Sequence, residues 1–181
     1  MATPDDYRQL QQLMDDADKH ALIACGIAFI EHARQPLSAT TQPCSNATQD
    51  ILSTAKAWLR GEDKTNDANE AAERVKKSWS YSSPHWWSYL AAQKLAHALS
   101  GKDENPAIYV LQAASDACSA AANAAVGNDA GADINAAWSA ECVWQADKLV
   151  SILSSARSYP SGARSRNSLL ASRAAGAMVA V

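Results

Sequence analysis

Apolar positions recur at steps of three and four through most of this chain. Breaks rich in Pro, Gly and polar residues divide the pattern into six predicted helices. The first opens at Thr3, Pro4, Asp5 and Asp6, where a capping hydroxyl, a first-turn proline and two carboxylates suit the positive end of a helix dipole. It is predicted to run to about Arg34 along the stripe Leu10, Leu13, Met14, Ala17, Ala21, Ala24 and Ala28. From Ala21 onward the pattern is apolar nearly all round, which predicts a helix at the centre of a bundle. Asp15, Asp16 and Asp18 interrupt the stripe and leave room for a break.

Gln35 to Cys44, with Pro36 and Pro43, reads as a loop. Ser45 then caps a second predicted helix with Ile51, Leu52, Ala55, Trp58 and Leu59 on one arc, stopped by Gly61 as a C′ glycine. After the polar loop Glu62 to Thr65, a third is capped by Asn66 and carries Ala68, Ala71, Ala72, Val75 and Trp79 inward. Its outer face holds the pairs Glu70 with Arg74 and Glu73 with Lys77. The fourth starts at Ser83 and Pro84 and ends at Gly101, with two adjacent stripes: Trp87, Ala91, Leu95 and Ala98, and beside it Trp86, Leu90, Gln93 and His97. The fifth runs from Asn105 and Pro106 to Gly127 along a small-residue seam of Ala107, Leu111, Ala114, Cys118, Ala121 and Ala125, which permits close helix approach. The sixth spans about Asp133 to Ser155, with a buried arc of Trp138, Cys142, Leu149, Ile152 and Leu153. Glu141 and Gln145 fall at or inside that arc and need partners.

An all-α, single-domain bundle over residues 1–157 follows, with residues 158–181 as a flexible basic tail. Composition agrees: 181 residues suffice for one core without disulfides or metal, and an alanine-rich chain with one phenylalanine prefers helix. The formal net charge is −3, yet Arg157, Arg164, Arg166 and Arg173 all lie at the end, leaving an acidic body of about −7. An acidic body argues against nucleic acid as a direct partner, since phosphate binding needs a basic face. A cationic protein suits it better.

Cys25, Cys44, Cys118 and Cys142 form no Cys-x-x-Cys pair, which excludes the usual zinc and thioredoxin-like spacings; for Cys25, Cys118 and Cys142, which fall on apolar stripes, buried thiols are the favoured reading over disulfides. The N-terminal residues show neither a basic nor an apolar targeting region, and the longest apolar run, Ala21 to Ile30, is far short of a membrane span of about 20 residues. The expectation is a cytoplasmic protein with no membrane partner.

Catalytic chemistry finds little support. His20, His32, His85 and His97 lack the Glu-x-x-His spacing of a di-iron bundle, and no phosphate-cradling loop, nucleophile elbow or zinc-protease motif occurs. The expectation is no enzyme, no metal and no cofactor. The exception to weigh is His97 near Glu141. It reads as a general base in an enzyme or metalloprotein, or as a core histidine in a buried polar network of His97, Glu141 and Gln145. The network is the favoured reading.

Two features suit a partner. Trp79 to Tyr89 concentrates five aromatic residues around a turn, and Tyr81, His85 and Trp86 form either a docking patch or a plug at the end of the bundle. At least one of Trp86 and Trp87 must point inward. Glu62, Asp63, Asp67 and Glu70 form an acidic cluster that would steer a basic partner.

Four stretches in order carry a family resemblance. They are Ala-Lys-Ala-Trp-Leu-Arg-Gly-Glu at Ala55 to Glu62 with the following Asn-Glu-Ala-Ala-Glu-Arg; Leu-Ala-His-Ala at Leu95 to Ala98; Ala-Ile-Tyr-Val-Leu-Gln-Ala at Ala107 to Ala113; and Glu141 with Trp144, Gln145 and Leu149. Together they resemble the all-α immunity proteins of bacterial polymorphic toxin systems, specifically the fifth-numbered immunity family. The resemblance implies a protein that binds and neutralises a cognate toxin in the cytoplasm, without catalysis of its own. The alternative is an intracellular helical scaffold with an unrelated partner.

Overall fold

The computed structural model describes residues 14–15, 17–37, 43–73, 83–101, 105–128, 131 and 133–157. Among them all regular structure is helical, in the order α1 Lys19–Arg34, α2 Pro43–Leu59, α3 Thr65–Glu73, α4 Pro84–Ser100, α5 Pro106–Asn128 and α6 Ile134–Arg157. None of these helices is long and apolar enough to cross a membrane. The predicted start at Thr3, the end of the third helix, Tyr81 and the 158–181 tail lie outside the described residues.

The break that the acids allow falls at Ala17 and Asp18. Asp18 takes an extended backbone and its side chain accepts from the Ala21 amide at 2.8 Å, so one of the interrupting acids is the N-cap of α1. Every residue from Ala21 to Ile30 is then buried, and α1 packs on α2, α4, α5 and α6. The helix that reads as apolar all round is the central one.

Local signals set five of the other ends, whereas the predicted caps Ser45 and Asn66 lie inside α2 and α3, which begin at Pro43 and Thr65. At the end of α2 the Glu62 amide donates to the Ala57 carbonyl at 3.1 Å and the Gly61 amide to Trp58 at 2.9 Å. This is a Schellman closure, with Gly61 at φ +91°. Ser83 and Pro84 open α4, and Gly101 closes it in the left-handed region. Asn105 Oδ1 accepts from the Ala107 amide at 3.0 Å to open α5, and Asp133 Oδ1 accepts from the Asn135 and Ala136 amides at 2.9 and 3.3 Å to open α6. Gly127 is a correction. It has no positive φ and α5 continues through Asn128, because a glycine stops a helix only where the chain actually turns left-handed.

The core is built largely from alanine. Ala91, Ala92, Leu95, Ala96, Ala98 and Leu99 of α4 are buried, and α4 packs most extensively on α5, whose innermost line includes Val110, Ala113, Ala117, Ala120 and Ala124. The predicted α5 seam holds at Ala107 and Cys118, which are buried, while Leu111, Ala114, Ala121 and Ala125 fall beside that line and are half-buried; Ala114 and Cys118 face α6. Antiparallel α1 and α4 touch at Gly26, where an added Cβ would lie 2.8 Å from Leu95 Cδ1, and at Lys19, whose Nζ donates to the Leu99 carbonyl at 2.9 Å. Trp58 is half-buried against the core, its ring centroid 4.5 Å from that of His20 and beneath the Lys19 ammonium. A second, smaller cluster joins Cys44 and Ala47 of α2 to Trp86 and Tyr89 of α4.

Asp116 on α5 has a measurable consequence. Burial pushes its carboxyl up to about 6 against the opposing pull of Lys94. An acid held above its unfolded value favours the fold most when protonated. Its contribution is thus fullest below about pH 4 and is lost as pH rises through about 6. The group is only half-buried, so solvent screening cuts the effect to about 1 kcal/mol. Asp116→Asn should raise the melting midpoint near pH 8 and leave it unchanged near pH 4; equal gains at both pH values would rule this out.

Candidate functional site

The most organised polar group in the bundle is Glu141, set on α6 where that helix crosses α5 and the end of α1. Glu141, Gln145, Leu149 and Leu153 repeat every four residues and form the buried line of α6, so the carboxylate and the amide occupy core positions one turn apart. Burying such groups is costly unless each finds a partner. Glu141 Oε2 lies 2.8 Å from His32 Nδ1, Gln145 Nε2 donates to Glu141 Oε1 at 3.1 Å, and the same amide nitrogen donates to the Ala114 carbonyl at 3.2 Å. One cluster thus ties the last turn of α1, the middle of α5 and the first half of α6.

Trp144 completes the arrangement. One turn beyond Glu141, its ring stacks on His32 with centroids 3.6 Å apart and planes 5° from parallel. The indole fixes the imidazole plane, and the carboxylate fixes its rotation. When Glu141 is ionised it can only accept, so Nδ1 carries the proton. The carboxylate side chain is 4% exposed and the imidazole 29%, so the pair has a dry end and a wet one.

Glu141 and Gln145 are together as the sequence suggests, but their histidine is His32. His97 lies instead against Tyr109, with ring centroids 5.7 Å apart. The reason is geometric. His97 belongs to an α4 stripe facing Tyr109 on α5, whereas His32 extends the Cys25 and Phe29 line of α1, the helix in contact with α6. A histidine continuing an otherwise apolar stripe was the available signal.

The aromatic candidates divide. Trp86 is 8% exposed and packs with Tyr89 in the smaller cluster, with ring centroids 5.6 Å apart, so it plugs the bundle and offers no docking surface. Trp87, on the neighbouring stripe, is half-buried against the main core. His85 is also half-buried, its pKa pushed down by burial and by Arg34, which itself bonds Gln49 and Ser45 near the start of α2.

The acidic candidates are all exposed. Glu62 Oε1 accepts from Arg60 Nη2 at 3.0 Å, and Asp67 Oδ2 lies 3.7 Å from Lys64 Nζ. Asp67, Glu70 and Glu73 line the outer face of α3 at steps of three, while Ala68, Ala71 and Ala72 hold its inner face in the core. Helix α2 is about 25 Å long. The turn at Glu62 and Asp63 therefore sits far from His85 and the α2 start. Helix α3 runs back toward α4, where the Tyr89 hydroxyl donates to the Ala72 carbonyl, bringing Glu73 rather than Glu62 toward the His85 end.

Comparison with known proteins adds no relative: no family model matches the chain, and no curated protein or solved structure is detectably similar to it. Among the described residues no group of three or more His, Cys, Asp or Glu side chains is placed to hold a metal ion.

Proposed function

We propose that the protein acts in the cytoplasm by stoichiometric binding of a basic protein partner, a cognate toxin that it neutralises. The docking surface is the α2–α3 turn with the outer face of α3. The observation that supports this reading is the exposed carboxylate strip Glu62, Asp63, Asp67, Glu70 and Glu73, set among the described residues of that stretch against Arg60 and Lys64. Its alanine-packed inner face holds α3 in place, so the charges are presented on a rigid element. Such a strip draws a cationic partner in and disfavours acidic ones. Glu141, by contrast, is occupied by its own neighbours, which gives it the role of a tie between helices.

Co-expression with the toxin encoded beside this chain is the direct test. Survival should depend on the chain, and the triple reversal Asp67→Lys, Glu70→Lys and Glu73→Lys should slow association about 10- to 100-fold at low salt while leaving the helical circular dichroism intact. Equal killing with and without the chain would end the proposal. Full protection by the reversed variant would move the docking surface elsewhere.

A further inference from the structure

Cys118 on α5 and Cys142 on α6 bring their Sγ atoms to 3.2 Å across the contact between the two helices. Cys118 is buried and Cys142 half-buried, so of the two Cys142 lies nearer the surface. The remaining two cysteines are differently placed: Cys25 is deep in the main core and Cys44 lies in the smaller cluster with Trp86 and Tyr89. We propose that Cys118 and Cys142 are a reversible oxidation site, which gives up two electrons to a low-molecular-weight disulfide and covalently links α5 to α6.

The geometry asks for little. A disulfide needs its sulfurs about 2 Å apart, so the gap must close by about 1 Å, shared between two side chains. The chemistry runs in two exchanges. Cys142 loses its proton and its sulfur attacks one sulfur of the small disulfide; the S–S bond of the reagent breaks, and one half departs with the electron pair and takes up a proton. Cys118 then loses its proton and attacks the Cys142 sulfur, displacing the second half as a thiol. Two protein thiols have lost two electrons and two protons, and the reagent has gained both.

Placement gives the link its consequence. Cys142 follows Glu141 directly, and Cys118 lies one turn beyond Ala114, whose carbonyl accepts from Gln145. A bond here locks α6 onto α5 beside the polar cluster. The hydrogen bond between the two sulfurs, together with burial, holds the Cys118 proton, which leaves Cys142 to make the first attack.

The experiment uses the full chain, purified reduced and then incubated with glutathione disulfide. Thiol titration under denaturing conditions should fall from four to two, with a mass loss of two hydrogens, a peptide linking Cys118 to Cys142, and a higher melting midpoint that dithiothreitol reverses. Cys118→Ser, nearly isosteric, should instead accumulate a mixed adduct at Cys142 while keeping its circular dichroism. Four surviving thiols, a persistent adduct in the unaltered chain, or a link through Cys25 or Cys44 would each overturn the proposal.

Discussion

Leu95→Ala is expected to cost about 3 to 4 kcal/mol, and adding Gly26→Ala to that variant is expected to restore part of the loss. Leu95 is fully buried and truncating it removes a large side chain from the middle of the α1, α4 and α5 contact. Gly26 faces it. The methyl of an alanine would sit 2.8 Å from Leu95 Cδ1 and 3.8 Å from Val110 Cγ1, and Leu95 is fully buried, so it must shift within the packed core. In the unaltered protein Gly26→Ala gains about 1 kcal/mol in helix propensity. It loses about 1 to 3 kcal/mol to overpacking, so a net loss is expected. Once Leu95 is alanine, the same methyl fills the cavity and the sign reverses. Urea unfolding of the four proteins gives the coupling directly. An expected coupling of about 2 kcal/mol is well beyond the additivity of independent sites, and simple additivity would mean that the two residues do not meet.

Glu141 carries the second large effect. Glu141→Leu removes the acceptor for His32 and for Gln145 at once, and should cost about 2 to 3 kcal/mol, since groups at a buried junction lose their partner. Glu141→Gln should cost about 1 kcal/mol: its carbonyl can still accept from one neighbour, but its NH2 faces a second donor. His32→Ala should lower stability by a similar amount and His97→Ala by less, because His97 contributes a tilted ring contact outside the network. Thermal melts of the four variants rank them. A larger loss for His97→Ala than for His32→Ala would contradict the assignment of His32 to Glu141.

Much of this was legible in the pattern of residues, and the parts that were not share a cause. Caps and stops are local chemistry, so Ser83 with Pro84, Asn105 with Pro106, Gly61 and Gly101 all mark real ends. Burial around α1 was legible because ten successive residues cannot all be apolar on a surface helix. Choosing between adjacent stripes was harder. In an alanine-rich helix several faces are equally apolar, so four of the six α5 seam positions, Leu111, Ala114, Ala121 and Ala125, are half-buried beside the innermost line, and Trp138, expected in the core, is half-buried too. Pairings across helices were hardest of all. That Glu141 and Gln145 lie inward follows from spacing, but the identity of their histidine depends on which helix α6 crosses. The same holds for Cys118 and Cys142: both belong to apolar stripes, and only the relative register of α5 and α6 brings their sulfurs together.

The position of α1 has a bearing on how the chain reaches its fold. Ala21 to Ile30 is the most enclosed segment, yet three of the helices that enclose it, α4, α5 and α6, are all encoded after it. At ordinary rates of synthesis the ribosome takes on the order of ten seconds to reach the end of α6. Until then the nascent chain carries a strongly apolar helix whose cover is incomplete, so productive folding of this small protein rests on shielding that segment until its last partner arrives.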